Sequence, residues 1–226
     1  MKQLVLEMRD VSKSYPTPRG PVHALGDVNI GICRGEFVMI TGPSGSGKTT
    51  FIQIAGLLDC PTSGKVVFEG RDAMDMDERT SARVRAERIG MVFQRFHLLG
   101  HLSALENVAF RFRYTDVPRD DALARSRRML QAMGLETLSS TRAASLSAGE
   151  MQRVAIARAV VLEPAVLFAD EPTGNLDSKS ADSVMDIMGE LHRKGLTIVM
   201  ATHNERLLRH ATRHIACAGG RMQEVA

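Results

Sequence analysis

No run of about eighteen consecutive apolar residues occurs in these 226 residues, so the sequence offers nothing able to span a bilayer as a helix. The opening Met1-Lys2-Gln3-Leu4-Val5-Leu6-Glu7 meets an acid before any signal-peptide core is built. Cysteine is scarce: Cys33, Cys60 and Cys217 stand far apart, without metal-ligand spacing, and suit a reducing cytosol. Charge of one sign is scarce too, the net being +3. Eight Arg and five acids between Gln94 and Ser145 account for that surplus, and the remainder balances. A surplus this small is too little to argue for nucleic acid as a partner, and none is expected. It fits a solvated basic face or a docking surface for an acidic partner. Hydrophobic content of 44% and charged content of 24% are those of a soluble globular protein with one large domain or a core plus a subdomain.

What is present is more specific. Gly42-Pro43-Ser44-Gly45-Ser46-Gly47-Lys48-Thr49 matches G-x-x-x-x-G-K-[ST], a loop that cradles phosphates. The apolar run Phe37-Val38-Met39-Ile40 before it reads as a buried strand, and Thr50–Leu58 after it as a helix. Strand, glycine loop and helix together aim backbone N–H groups and the positive helix end at one point. Lys48 then reaches the β- and γ-phosphates, and the Thr49 hydroxyl ligates Mg²⁺. The pattern predicts nucleoside triphosphate binding.

Apolar β-like runs alternate with helix-like runs, the mark of an α/β fold with a mainly parallel sheet. Expected strands are Leu4–Met8, Phe37–Thr41, Lys65–Phe68, Ile89–Gln94, Val166–Asp170 and Thr197–Thr202, with a hairpin of Arg213–Ala218 and Arg221–Val225 about Gly219-Gly220. From about Arg95 to Ser147 helix formers dominate. Ala122, Leu123, Ser126, Met129, Leu130 and Met133 recur at helical spacing, with Asp120 as expected cap and Gly134 as stop. Ser103–Phe112 is a second amphipathic segment. These predict a helical subdomain inserted at roughly 95–147 within a single domain of residues 1–226.

Two further features carry chemistry. The strand Ala165-Val166-Leu167-Phe168-Ala169 ends in Asp170-Glu171, placing one acid to hold Mg²⁺ and the other to polarise an attacking water. Leu146-Ser147-Ala148-Gly149-Glu150 opens a long helix, with Ser147 and Glu150 forming a capping box and an N-terminus suited to an anion.

Leu146–Ala159 resembles the signature turn and helix of the ATP-binding-cassette (ABC) ATPases. Gln94 at a strand end, His203 after Thr197–Thr202, Asn175-Leu176-Asp177 after the acidic pair, and Tyr15 upstream of the loop follow the same family order. The resemblance implies a P-loop NTPase (RecA-like) α/β core with a mainly parallel sheet, an antiparallel β-subdomain and the helical insertion. It implies Glu171 as general base, His203 as γ-phosphate sensor, and Lys48 and Gln94 as further catalytic residues. ATP contacts are implied for Tyr15, stacked on adenine, for Gly42, Pro43, Ser44, Gly45, Ser46, Gly47, Lys48, Thr49 and Thr50, and for Ser147, Gly149 and Asp177 of a second copy. Thr49, Gln94 and Asp170 are the implied Mg²⁺ residues. Ala148 and Glu150 depart from the family's glycine and glutamine. Were residue 148 to need a positive φ, alanine there would cost roughly 1 kcal/mol.

The resemblance also implies a head-to-tail dimer with ATP sandwiched between two copies. Its load would be a separate transmembrane permease, which holds the otherwise cytoplasmic chain at the inner face of the membrane. Arg95 and Arg111 are expected on the face that couples to it. Gly56–Gly64, Leu98–Val108 and Asp170–Ser178 resemble the branch of lipoprotein-releasing, macrolide-exporting and cell-division cassettes. Export or lipoprotein release is the leading expectation; a cell-division switch that acts on cell-wall hydrolysis without transport is the alternative. Soluble ribosomal or DNA-repair relatives fit poorly, since the chain has neither a second cassette nor long coiled coils.

Overall fold

The computed structural model describes residues 3–225. Its strands are β1 (Leu4–Tyr15), β2 (Val22–Cys33), β3 (Phe37–Thr41), β4 (Ser63–Phe68), β5 (Arg71–Asp72), β6 (Ile89–Phe93), β7 (Val166–Asp170), β8 (Thr197–Thr202), β9 (Arg213–Ala218) and β10 (Arg221–Val225). Its helices are α1 (Lys48–Ala55), α2 (Glu78–Glu87), α3 (Ala104–Ala109), α4 (Arg119–Ala132), α5 (Ala148–Val160) and α6 (Ser178–Arg193).

A six-stranded sheet of order β10-β9-β3-β8-β7-β6 is parallel from β9 to β6, with β10 added antiparallel. A second sheet, β2-β1-β4-β5, is wholly antiparallel. The central parallel strands are continuous apolar runs because both faces are covered. Successive residues point to opposite faces. Val38, Ile40, Val166, Phe168, Val199 and Ala201 join α1 and the antiparallel sheet in one core. Phe37, Met39, Leu167, Ala169, Ile198 and Met200 join α3, α4, α5 and α6 in the other.

The structure corrects several expectations. β1 runs seven residues past Met8, through a bulge at Asp10, whose φ is 51°. Helix α1 begins at Lys48 rather than Thr50 and ends at Ala55, since Leu57 turns the chain with φ 55°. Pro118, not Asp120, occupies the N-cap of α4. Asp120 and Asp121 fill its first turn, where they face the positive end of the helix. Four elements went unanticipated, β2, β5, α2 and α6. In β2, Val28, Ile30 and Ile32 alternate with Asp27, Asn29 and Gly31 along a half-buried sheet edge. In α2, capped by Asp77, no residue is buried, so it has no apolar stripe to read.

Candidate nucleotide site

The carboxyl ends of four neighbouring parallel strands deliver the site, as is general for crevices of open α/β sheets. β3 runs into the phosphate loop, β6 into Gln94, β7 into Asp170-Glu171 and β8 into His203. Register aligns them: Thr41 pairs with Thr202, Asp170 with Ala201, and Phe93 with Asp170.

Gly47 caps α1 with φ 111°, and a Cβ there would lie 2.5 Å from the Ala24 carbonyl, so glycine is required on both counts. Lys48 is 6% exposed, and its Nζ donates to the carbonyls of Gly42 and Pro43 at 2.7 and 3.0 Å. The loop is braced from beneath by the C-terminal hairpin. Gly220 N–H donates to Ser46 O at 2.9 Å, and the Cys217 thiol donates to the same carbonyl at 3.1 Å. Pro43, Ser44 and Gly45 are exposed at its crest, and Thr49 and Thr50 lie in the first turn of α1.

Burial raises the Asp170 carboxyl above its ordinary range; the Thr49 hydroxyl opposes this, the Glu171 charge adds to it and the Lys48 charge opposes it. Asp170 Oδ1 is buried without a hydrogen-bond partner among the described residues. A buried carboxylate oxygen left unpaired beside a threonine hydroxyl fits a hard cation such as Mg²⁺. Glu171 adopts φ 48°, rare for a side-chain-bearing residue, while its N–H donates to Ala201 O at 2.9 Å. His203, exposed, places Nδ1 3.0 Å from Glu171 Oε2. Gln94 is tied to the loop after the acidic pair. Its Nε2 donates to Asn175 Oδ1 at 3.2 Å, and Asn175 Nδ2 donates back to Gln94 O at 3.0 Å. Tyr15 closes β1, and its hydroxyl donates to Asp59 Oδ2 at 2.8 Å.

Ser147, Gly149 and Asp177 are brought together elsewhere. With Glu150, Arg153, Lys179, Ser180 and Ser183 they line a cleft of about 360 Å³ to which the phosphate loop contributes nothing. Ser147 and Glu150 form the expected capping box. Ala148 is the first residue of α5 and is not among the positive-φ residues, so the anticipated alanine strain does not arise. Gly149 is the constrained position: a Cβ there would sit 2.8 Å from Ser180 Oγ. Asp177 caps α6, accepting from Ser180 N–H at 3.0 Å and Ser180 Oγ at 2.7 Å.

Three links escaped the sequence because they join distant segments. Gln152 Nε2, fully buried, donates to Pro172 O at 2.6 Å, tying α5 to the acidic loop. Arg158 donates to the carbonyls of His97 and Phe96 at 2.7 and 3.0 Å, holding the segment after Gln94. Arg111, expected on the outer face, turns inward and donates to the carbonyls of Arg85 and Ile89. Arg95 is exposed.

The family model for ABC transporters matches residues 25–174. The lipoprotein-releasing system ATP-binding protein LolD of Geobacter metallireducens is 43% identical over 219 residues, covering 96% of this chain and 97% of that protein. The macrolide export ATP-binding/permease protein MacB 1/2 of Paracoccus denitrificans is 41% identical over 96% of this chain, which spans 33% of its length. The dimeric ATP-binding cassette MJ0796 bound to ADP and Pi superposes with a TM-score of 0.89 at 36% identity, covering 98% of this chain and 99% of that one.

Proposed function

The chain belongs to the ABC transporter family, as an ATP-hydrolysing cassette, and on that premise we propose that two copies close head to tail on ATP to drive a separate permease in export or lipoprotein release. The observation that carries the dimer is the division of the site. Lys48, Asp170, Glu171, His203 and Gln94 share one sheet edge, while Ser147 and Gly149 line a different cleft. One chain therefore presents two half-sites, and a second copy turned end for end completes both. The dimeric, ADP- and Pi-bound neighbour supports that arrangement.

In this reading the phosphate-loop N–H groups and Lys48 hold the triphosphate. Glu171 accepts a proton from the attacking water, His203 contacts the γ-phosphate beside it, and Gln94 reports on the site through Asn175. Thr49, Asp170 and Gln94 would hold Mg²⁺, which supplies charge stabilisation at the phosphates. Ser147, Gly149 and Asp177 close over the nucleotide on the partner copy, and Tyr15 covers the adenine. Residues 95–147 act as the helical subdomain of a single cassette, a reading supported by the packing of α3 and α4 on α5.

No helix among the described residues is long and apolar enough to cross a membrane. The permease contact is proposed on the face beside Gln94. Arg95 is exposed there; elsewhere in the helical subdomain Phe110 and Tyr114 are 41% and 79% exposed. Tyr114 flanks a groove of about 550 Å³ against Arg79 and Arg83 of α2. Names among the relatives favour release or export over the cell-division switch. Pull-down of the Glu171→Gln protein from native membranes with ATP tests this. A co-purifying permease with a large extracytoplasmic domain is expected, and recovery of the ATPase without any membrane protein would sink the proposal.

A further inference from the structure

Tyr15 is not a free aromatic. Its hydroxyl donates to Asp59 Oδ2 at 2.8 Å, and Asp59 is itself tied to α1, its N–H donating to Gln53 O at 3.3 Å. Lys13 Nζ donates to Asp59 Oδ1 at 2.7 Å and to the Cys60 carbonyl at 2.7 Å. The same ammonium lies 4.8 Å from the centroid of the Tyr15 ring. Asp59 is further fixed by its neighbour's backbone, Cys60 N–H donating to Oδ1 at 2.8 Å. The Lys13 and Asp59 side chains are only 12% and 30% exposed, so water screens this network less than an ordinary surface pair.

We propose that Lys13 and Asp59 are positioning residues that latch the Tyr15 ring onto α1, so that the surface for the nucleotide base and the loop for its phosphates move as one rigid piece. The inference rests on the reading of Tyr15 as the adenine contact. Asp59 lies just beyond the end of α1, whose other end carries Lys48. Without a latch, Tyr15 would sit between a strand end and the exposed loop of Pro16, Pro18 and Gly20. Its ring would then have to be ordered each time a nucleotide arrives, and pre-ordering removes that cost. Burial alone would push the Asp59 carboxyl up, but the bonds from Lys13 and Tyr15 hold it below its ordinary range, so the latch stays ionised at neutral pH. The Lys13 ammonium covers one ring face, which leaves the opposite face for the base.

Titration calorimetry with ATP and with inorganic tripolyphosphate, which has no base, tests the latch in the Glu171→Gln background. Tyr15→Ala should weaken ATP but not tripolyphosphate; equal affinities for ATP in the two proteins would remove Tyr15, and the base-contact reading with it. Asp59→Ala should weaken ATP roughly 10-fold, the scale of losing a hydrogen bond to a charged group, with tripolyphosphate unmoved. Tyr15→Phe deletes only the hydroxyl and guards against misfolding of the aspartate variant. It should lose a similar factor, and combining it with Asp59→Ala should add little, because both remove the same bond. If Tyr15→Ala weakens ATP while Asp59→Ala and Tyr15→Phe do not, the latch is wrong and the base contact stands. If Asp59→Ala weakens ATP and tripolyphosphate alike, Asp59 acts on the phosphate loop rather than through Tyr15, and the latch is again wrong.

Discussion

Glu171 holds φ at 48° at the end of a strand whose first four residues are buried. A carboxylate kept in so sparsely populated a backbone state is aimed by its surroundings, here the bond from its N–H to Ala201 O. Glu171→Gln preserves shape and backbone, so ATP binding should persist while turnover falls roughly 100-fold or more, the scale of a lost general base. Single-turnover hydrolysis checks this, and near-normal turnover would take the role from Glu171. Its neighbour gives a prediction of opposite sign for stability. The folded protein raises the Asp170 carboxyl above its ordinary value of 3.8, so folding disfavours the charged form. That cost is complete above the folded value and fades as pH falls from it toward 3.8. Asp170→Asn should therefore raise the melting temperature of the nucleotide-free protein at neutral pH and abolish hydrolysis. The thermal gain should shrink on acidification; a neutral-pH melting temperature at or below that of the parent would contradict it. At residue 148, restoring the family's glycine removes a helix-favouring side chain from a strain-free position. Ala148→Gly should lower stability by up to about 1 kcal/mol, measured by urea unfolding.

Among the elements, α5 joins the most. Its first turn carries the Ser147–Glu150 capping box, Gly149 touches Ser180 of α6, and Gln152 reaches Pro172 behind the acidic pair. Gly149→Ala would force Ser180 away from Asp177 and so disturb the α6 cap as well. We expect loss of ATP-dependent dimerisation by light scattering with little change in monomer binding of ATP; unchanged dimerisation would show that the α5–α6 contact yields. The elements also show what could be read from residues alone. β3, β7 and β8 were legible to the residue because a strand buried on both faces is an unbroken apolar run. β2 carried only the alternation of a half-buried strand, Val28, Ile30 and Ile32 between Asp27, Asn29 and Gly31, a weaker signal than an unbroken run, and α2 has no apolar stripe, Val84 being its residue packed against the core. The phosphate loop and the acidic pair were visible as local strings. Gln94–Asn175, Gln152–Pro172 and the inward turn of Arg111 were invisible, because each depends on a partner at least twenty residues away.

For the whole molecule, the proposed head-to-tail dimer makes activity a property of pairs. Lys48→Ala removes phosphate binding, and Ser147→Arg puts a bulky cation where closure must occur; each should be inactive alone. In a mixed dimer, one composite site carries both lesions and the other neither, so about half-normal nucleotide trapping is expected if the sites act independently. Failure of the unmutated chain to dimerise with nucleotide would exclude the shared site. The hairpin beneath the phosphate loop has a consequence in time rather than space. Strand β3 is flanked by β8 and β9, and the Cys217 brace meets Ser46 across 171 residues of sequence. A ribosome exposes the loop long before it makes those supports. Until then the nascent chain carries the complete phosphate-binding string without the scaffold that shapes it, and it should gain affinity for nucleotide only once β9 and β10 can fold beside β3. Stalled chains ending before Arg213 should ignore ATP, and those long enough to hold β9 and β10 clear of the ribosome should bind it.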